Sequence, residues 1–471
     1  MRAILLVAIF LVTLAKVPAQ DVSGNWFGNL NVGVTLKLVF HLSKSADGSY
    51  KGTMDSPDQG VNGIPCSVVQ VTSDSVKVQI DAIKGQYTGK FTSDSTLSGT
   101  WMQGPANVSL DLRKVAVVPV TEHPQTPKPP FAYQAQDVEF DNPDKSAHLA
   151  GTLTFPKSGG PFPTAILISG SGQQDRDETL LGHKPFAIIA DDLTKRGFAV
   201  LRVDDRGTGK SRGDVVNSTS ADFAKDVLGA IAYLKGRSEV DKQRIGLIGH
   251  SEGGLIAQII AAENKAIHFV VLLAGPGIKG AELIAGQVSA SLISEGVPPA
   301  AAEAYVPFYM KVLNSTAAAT DTATAMKTAI NIFQKWKSSS TAEQRAAIGY
   351  TDDVRARDML SGLVRVFSMP WFKYFVNSDP AALLRKMTCK VLALNGEKDV
   401  QVLSKPNIAG IKAALQTSKV KSFETRELPG LNHLFQTCTR CSVSEYSQLS
   451  ESFSPVALTA IGEWLIKNVK P

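Results

Sequence analysis

The chain has 471 residues, 44% hydrophobic and 20% charged, which is enough apolar material for a sizeable core and excludes a disordered tail or a fibrous repeat. Its 49 Lys and Arg against 43 Asp and Glu leave a formal charge of +6, too thin a surplus to argue for nucleic acid. No basic run, low-complexity block or repeat appears, which removes solenoids and nucleic-acid tails, and at about 150 residues per domain the length predicts roughly three units.

At the N-terminus, Arg2, the apolar run Ala3–Leu14 and the small-residue pattern Val17-Pro18-Ala19 predict a signal peptide over residues 1–19, cleaved near Ala19. The run falls short of the about 20 apolar residues that cross a bilayer. The mature protein is therefore expected to be exported, periplasmic or extracellular, with no membrane span. Cysteine is scarce: Cys66, Cys389, Cys438 and Cys441 are too few for a disulfide-dependent scaffold. Cys438-Thr439-Arg440-Cys441 lacks the strand and helix of a thioredoxin-like redox site and holds half of a zinc site, so a local disulfide is expected.

Residues 20–117 carry period-two segments such as Leu36–Leu42 and Val76–Asp81, punctuated by turns at Asp47-Gly48, Ser73-Asp74 and Ser93-Asp94. Six to eight short strands at that spacing predict a small antiparallel barrel or sandwich. Its Trp26, Phe27, Tyr50, Tyr87, Phe91 and Trp101 are read as core in preference to a sugar-binding face. The proline-rich stretch 118–135 reads as a semi-rigid linker.

From residue 136 to 471 the pattern changes to buried apolar runs, Thr164–Ile168, Phe198–Val203, Arg244–Ile248, His268–Leu273 and Lys390–Leu394, with helical periodicity between them. This alternation predicts an α/β doubly wound, mostly parallel sheet. The Ala-rich interval of about 281–387 interrupts it and reads as an inserted helical cap.

Gly249-His250-Ser251-Glu252-Gly253-Gly254 follows the third of these runs and precedes a helix. A strand-to-helix turn this sharp strains the serine backbone and tolerates only glycines beside it, so Ser251 is the candidate nucleophile. Serine needs a histidine base oriented by a carboxylate, in the chain order Ser, acid, His. Of seven histidines, His268 and His433 follow Ser251; His268 opens an apolar strand, which leaves His433 in Pro429-Gly430-Leu431-Asn432-His433. Asp399, in the loop Asn395–Asp399, is preferred as the acid over Glu397. The oxyanion donors are expected to be the amide of Glu252 and an amide from Ser169-Gly170-Ser171-Gly172, Ser171 before Gly172. Walker lysine spacing and a G-x-G-x-x-G helix start are absent, and neither cofactor nor metal is expected. Asp204–Ser211 is read as a loop tied down by its Asp and Arg residues. In the aromatic cluster Trp371, Phe372, Tyr374 and Phe375, Trp371 and Tyr374 are the candidate substrate contacts.

With these motifs the region 136–471 resembles the α/β-hydrolase superfamily. Gly249–Gly254, Asn395–Val402, Asn432–Gln436, Asp204–Ser211 and Ser169–Asp177 resemble exported bacterial esterases of the group related to serine aminopeptidases and acyl-CoA thioesterases. Thr53–Gly60 resembles the β-domain that often precedes such esterases. The Cys438–Cys441 pair departs from that group's pattern. The resemblance implies that Ser251 attacks an ester carbonyl, His433 takes and returns the proton, Asp399 holds the imidazole, and the Ser171 and Glu252 amides stabilise the oxyanion. The expected substrate is a small-molecule or glycan-linked ester of short or medium acyl chain. A peptidase gripping a substrate ammonium through Glu252, Asp175 or Asp177 is the alternative, and an inert glycan-binding protein the third reading.

Overall fold

The computed structural model describes residues 21–470 apart from 33–34, 60, 105, 119–122 and 351. The expected signal peptide and its cleavage point lie outside the described residues. The chain forms two compact units, Met1–Val120 and Thr121–Pro471.

Among the described residues the first unit holds β1 (Gly24–Asn31), β2 (Thr35–Lys44), β3 (Tyr50–Ser56), β4 (Val61–Pro65), β5 (Val68–Val71), β6 (Ser75–Ile80), β7 (Gly85–Ser93), β8 (Thr96–Gln103), β9 (Ala106–Ser109) and β10 (Leu112–Val115). They make one antiparallel sheet in the order β4-β3-β2-β1-β10-β8-β7-β6-β5, with β9 on β8. Ten strands exceed the six to eight expected, because β4, β5, β9 and β10 are too short to show alternation. Where alternation is clear it works as it should. Val76, Val78 and Ile80 point into the core while Ser75, Lys77 and Gln79 are less buried. One face of the sheet packs on itself through Trp26, Phe40, Tyr87 and Trp101, with the Phe40 ring 5.8 Å from Tyr87. Phe27 turns to the other face, under the Arg113 guanidinium at 5.3 Å. These aromatics are occupied by packing.

The second unit is built on β11 (Gln134–Asp141), β12 (Ala147–Phe155), β13 (Phe162–Ile168), β14 (Ala199–Val203), the two-residue β15 (Arg212–Gly213), β16 (Val240–His250), β17 (Phe269–Leu273), β18 (Lys390–Gly396) and β19 (Phe423–Leu428). The order is β11-β12-β14-β13-β16-β17-β18-β19, with β15 on β12. The first pairs are antiparallel and those from β14 to β19 parallel. Helices α1 (Pro185–Lys195), α2 (Ser220–Lys235) and α3 (Glu252–Glu263) connect its early strands. Both faces are covered: Ile166 and Ile168 enter one core layer, Ala165 and Leu167 the other. This explains the unbroken apolar runs. The chain leaves β13 toward β14 on one side and returns to β16 on the other, which opens a crevice at the C-terminal ends of β13 and β16.

The cap runs from α4 (Gly280–Ser294) through α5 (Pro299–Ala318), α6 (Thr322–Ser339), α7 (Ala342–Ala347), α8 (Asp353–Phe367) and α9 (Pro370–Val376) to α10 (Pro380–Lys386). It has its own aromatic core, where Phe308 stacks on Trp336 at 4.8 Å. Helices α11 (Ser404–Gln416) and α12 (Pro455–Asn468) finish the unit. The later part of the expected linker is no free tether. Gln125 Nε2 donates to the Phe453 carbonyl at 2.7 Å, and its Oε1 accepts from Ser452 N at 2.6 Å. An amide bonding to a loop this remote in sequence leaves no local signal.

Candidate active site

Ser251 sits between β16 and α3 with φ 53° and ψ −118°. This is a left-handed backbone that a non-glycine residue adopts only when its surroundings enforce it. Its N–H donates to the Leu273 carbonyl at 2.8 Å, and Gly254 N closes the turn on the Ser251 carbonyl at 2.9 Å. The flanking glycines have a measurable cause: a Cβ on Gly249 would lie 2.1 Å from the Gly253 carbonyl oxygen, and one on Gly253 2.1 Å from that of Ile168. Gly253→Ala is therefore expected to destabilise the unit by about 3 kcal/mol or to displace the elbow, read as a lowered melting temperature. An unchanged melt with full activity would contradict the packing.

The parallel pairing of Ile168 with Gly249 puts the loop after β13 beside the nucleophile, and a Cβ on Gly170 would be 3.3 Å from Ser251 Cβ. Two acids hold this loop. Gly170 N donates to Glu178 Oε1 at 2.7 Å. Asp205 accepts from Ser169 Oγ at 2.7 Å and Gln174 N at 3.0 Å; burial, opposed by these bonds, pushes its carboxyl up to about 8. Below them Arg176 forks onto Asp204 at 3.0 and 2.7 Å, and Arg206 onto Asp226 at 2.7 and 2.6 Å. Asp204–Ser211 is thus a tied-down loop.

His433 lies in a turn closed by Asn432, whose Oδ1 accepts from Leu434 N at 3.0 Å and Gln436 N at 2.9 Å. Its Nδ1 is 2.8 Å from Asp399 Oδ2. Both side chains are buried, His433 at 4% and Asp399 at 3% exposure. Asp399 Oδ1 accepts from Gln401 N and Val402 N, each at 2.8 Å, and Asn395 Nδ2 donates to Oδ2 at 3.1 Å. These donors hold a carboxylate in one orientation. Glu397 is exposed and accepts from Gly430 N at 3.0 Å; it ties the acid loop to the histidine loop without reaching the ring. His268 stands just before β17 with its N–H on the Ile245 carbonyl, outside the cavity lining.

Ser251 and His433 line one cavity of about 450 Å³, with Ser171 at its wall. Not every expected site residue lines it. Gly172 and Glu252 border a separate, narrow pocket of about 60 Å³ and not this cavity. Tyr374 is 36% exposed on the outer side of α9, whereas Trp371, Phe372 and Phe375 line the cavity. Helical periodicity separates the faces. Trp371 is held by its Nε1 donating to Glu252 Oε1 at 2.7 Å, the oxygen that also accepts from Ser220 Oγ at 2.6 Å. The Glu252 side chain thus anchors the cap, while its backbone N–H begins α3, where no preceding helical carbonyl claims it. Sequence reasoning missed Glu178 and His250, buried beneath the cavity and paired at 2.9 Å; the position of His250 directly before the nucleophile was the available signal. Cys438 and Cys441 form a disulfide just after the histidine turn.

A strained, glycine-flanked serine at the switch point of this sheet, sharing a cavity with a carboxylate-bound histidine, defines the α/β-hydrolase class. A family model described as serine aminopeptidase, S33, matches residues 184–361. Esterase EstD of Thermotoga maritima is 25% identical over 342 residues, which is 72% of this chain and 69% of EstD. YtaP of Bacillus subtilis is 32% identical over 131 residues, 24% of this chain and 44% of YtaP, so the chain spans less than half of that relative. An esterase structure from Pyrococcus furiosus aligns over 72% of this chain and 92% of its own, with a TM-score of 0.42 and 15% identity. By its sheet order the chain has an α/β-hydrolase fold, and with these sequence relatives it is a hydrolase.

Proposed function

We propose that the protein is an exported carboxylic ester hydrolase acting on short or medium acyl chains through Ser251, His433 and Asp399. The buried Asp399–His433 pair opening on the same cavity as Ser251 carries this reading. Ser251 Oγ attacks the ester carbonyl carbon as His433 Nε2 takes its proton, and the N–H groups of Ser171 and Glu252 receive the tetrahedral oxyanion. Collapse expels the alcohol, which leaves with the proton from His433. Water, deprotonated by the same imidazole, then cleaves the acyl-enzyme. The name of EstD favours esters, and the Cys438–Cys441 disulfide suits an oxidising compartment. No helix among the described residues is long and apolar enough to cross a membrane.

The peptidase alternative needs a carboxylate for a substrate ammonium. Asp177 pairs with Arg202, Asp175 closes its own turn on Thr179 at 2.7 Å, and Glu252 is committed to Ser220 and Trp371. Among the described residues lining the cavity, Glu178 is the one acid, and His250 occupies it. A panel of acyl esters, sugar acetates and aminoacyl amides decides between the readings: faster turnover of the amides would reverse them. The cap wall makes a second prediction. Trp371→Ala should raise the preference for decanoyl over butyryl esters about 10-fold in kcat/KM, whereas Tyr374→Ala leaves it unchanged. Equal shifts in both variants would remove Trp371 from the acyl pocket.

A further inference from the structure

His250 lies beneath the cavity between two loops that reach the nucleophile from opposite sides. Its Nδ1 is 2.9 Å from Glu178 Oε1, and its Nε2 is 3.0 Å from the backbone carbonyl oxygen of His433. Glu178 Oε1 also accepts the Gly170 N–H at 2.7 Å. One hydrogen-bonded chain therefore runs from the loop after β13, through the last residue of β16, to the backbone of His433 after β19.

Both ring nitrogens of His250 face oxygen acceptors. A carbonyl has no proton to give, so Nε2 must carry hydrogen. A bare Nδ1 would then set a lone pair against the Glu178 oxygen. The contact is attractive only when a further proton lies between them, and because Glu178 Oε1 also accepts the Gly170 N–H, which favours the carboxylate, that proton is assigned to the ring as an imidazolium. The surroundings fit that charge. The His433 ring lies tilted beside it at 4.8 Å and Phe435 meets the edge at 6.4 Å; Asp399 is the further charged group acting on His250, and the Asp205 carboxyl next to Glu178, pushed up to about 8, is held as the neutral acid at pH 7. Burial opposes charging His250, but the Glu178 charge and hydrogen bond, the His433 carbonyl and Asp399 outweigh it and raise its pKa above the usual value.

We propose that Glu178 and His250 are a positioning dyad, a buried imidazolium–carboxylate pair that fixes the distance between the oxyanion loop and the base loop across Ser251. The proposal rests on the reading of Ser251 and His433 as nucleophile and base. Both tethered loops supply groups whose contacts strengthen in the transition state, the oxyanion N–H and the proton-accepting imidazole, so loosening them costs kcat while leaving KM.

The test uses the full chain and 4-nitrophenyl butyrate. Glu178→Gln keeps the size and an acceptor for Gly170 but cannot carry the charge. Its kcat is expected to fall about 10- to 100-fold with KM little changed. His250→Asn should fall similarly, and the double variant no further, because the two act as a unit. A second readout needs no substrate: nitrogen NMR of labelled histidines at pH 7 should show one buried ring protonated on both nitrogens, absent in His250→Asn and reduced to a single proton in Glu178→Gln. A singly protonated His250 ring in the wild type, or variants within about 2-fold of wild-type kcat, a change too small for a displaced catalytic loop, would overturn the dyad. Failure of the functional reading is recognised separately, by a wild type that neither turns over the ester nor is labelled at Ser251 by a fluorophosphonate; the ring signal alone then decides.

Discussion

Ser251→Ala is expected to leave a folded protein that no longer captures a fluorophosphonate and whose kcat toward a 4-nitrophenyl ester falls about 10⁵-fold or more. The substitution removes one oxygen and keeps a Cβ, so the strained φ of 53° and the backbone bonds to Leu273 and Gly254 are held by the same surroundings. What is lost is the oxygen proposed to form the acyl-enzyme. The Asp399–His433 pair and the oxyanion loop remain, and a small residual rate over water reports them. Intact mass after incubation with the probe separates the outcomes. A mass gain in the variant equal to that of the wild type would place the nucleophile elsewhere.

Asp399→Asn should lower kcat by about 10⁴-fold, while Glu397→Gln, two positions earlier in the same loop, stays near wild type. The asymmetry follows from the hydrogen bonds. Asp399 Oδ1 accepts two backbone N–H groups, from Gln401 and Val402, so the amide oxygen of asparagine takes that place and its NH₂ turns toward His433. An NH₂ at the Oδ2 position donates to Nδ1 and drives the ring proton to Nε2, leaving no lone pair for the serine proton. It also meets Asn395 Nδ2, a second donor now 3.1 Å away, which should lower stability as well. In Glu397→Gln the oxygen that receives Gly430 N survives. Steady-state kinetics with both variants on one ester settles the choice of acid: a large loss in Glu397→Gln with an active Asp399→Asn exchanges their roles.

Much of this site was legible because its demands are local. Ser251 is flanked by glycines since any Cβ at 249 or 253 would strike backbone at 2.1 Å, and a steric demand over five residues is written in those residues. The strand runs around Thr164, Arg244 and Lys390 were legible because a parallel strand covered on both faces must be apolar throughout. Tyr374 and Gly172 do not line the cavity, since an aromatic cluster and a glycine-rich loop do not say which member turns inward. On α9 the answer depends on where the helix sits, and its inward face carries Trp371, Phe372 and Phe375.

From the sequence alone came the α/β class, the inserted cap, the candidate nucleophile, and the chain order that selects His433 and Asp399, all features expressed as periodicity, turn chemistry or linear order. Only the tertiary structure decided that Glu397 clamps Gly430 while Asp399 meets the ring, that Glu252 anchors Trp371, and that His250 joins Glu178 to the His433 carbonyl. The partners of His250 lie 72 and 183 residues away. Contacts of that kind are set by the register of β13, β16 and β19 in one sheet, a property of strand pairing that no window of sequence contains.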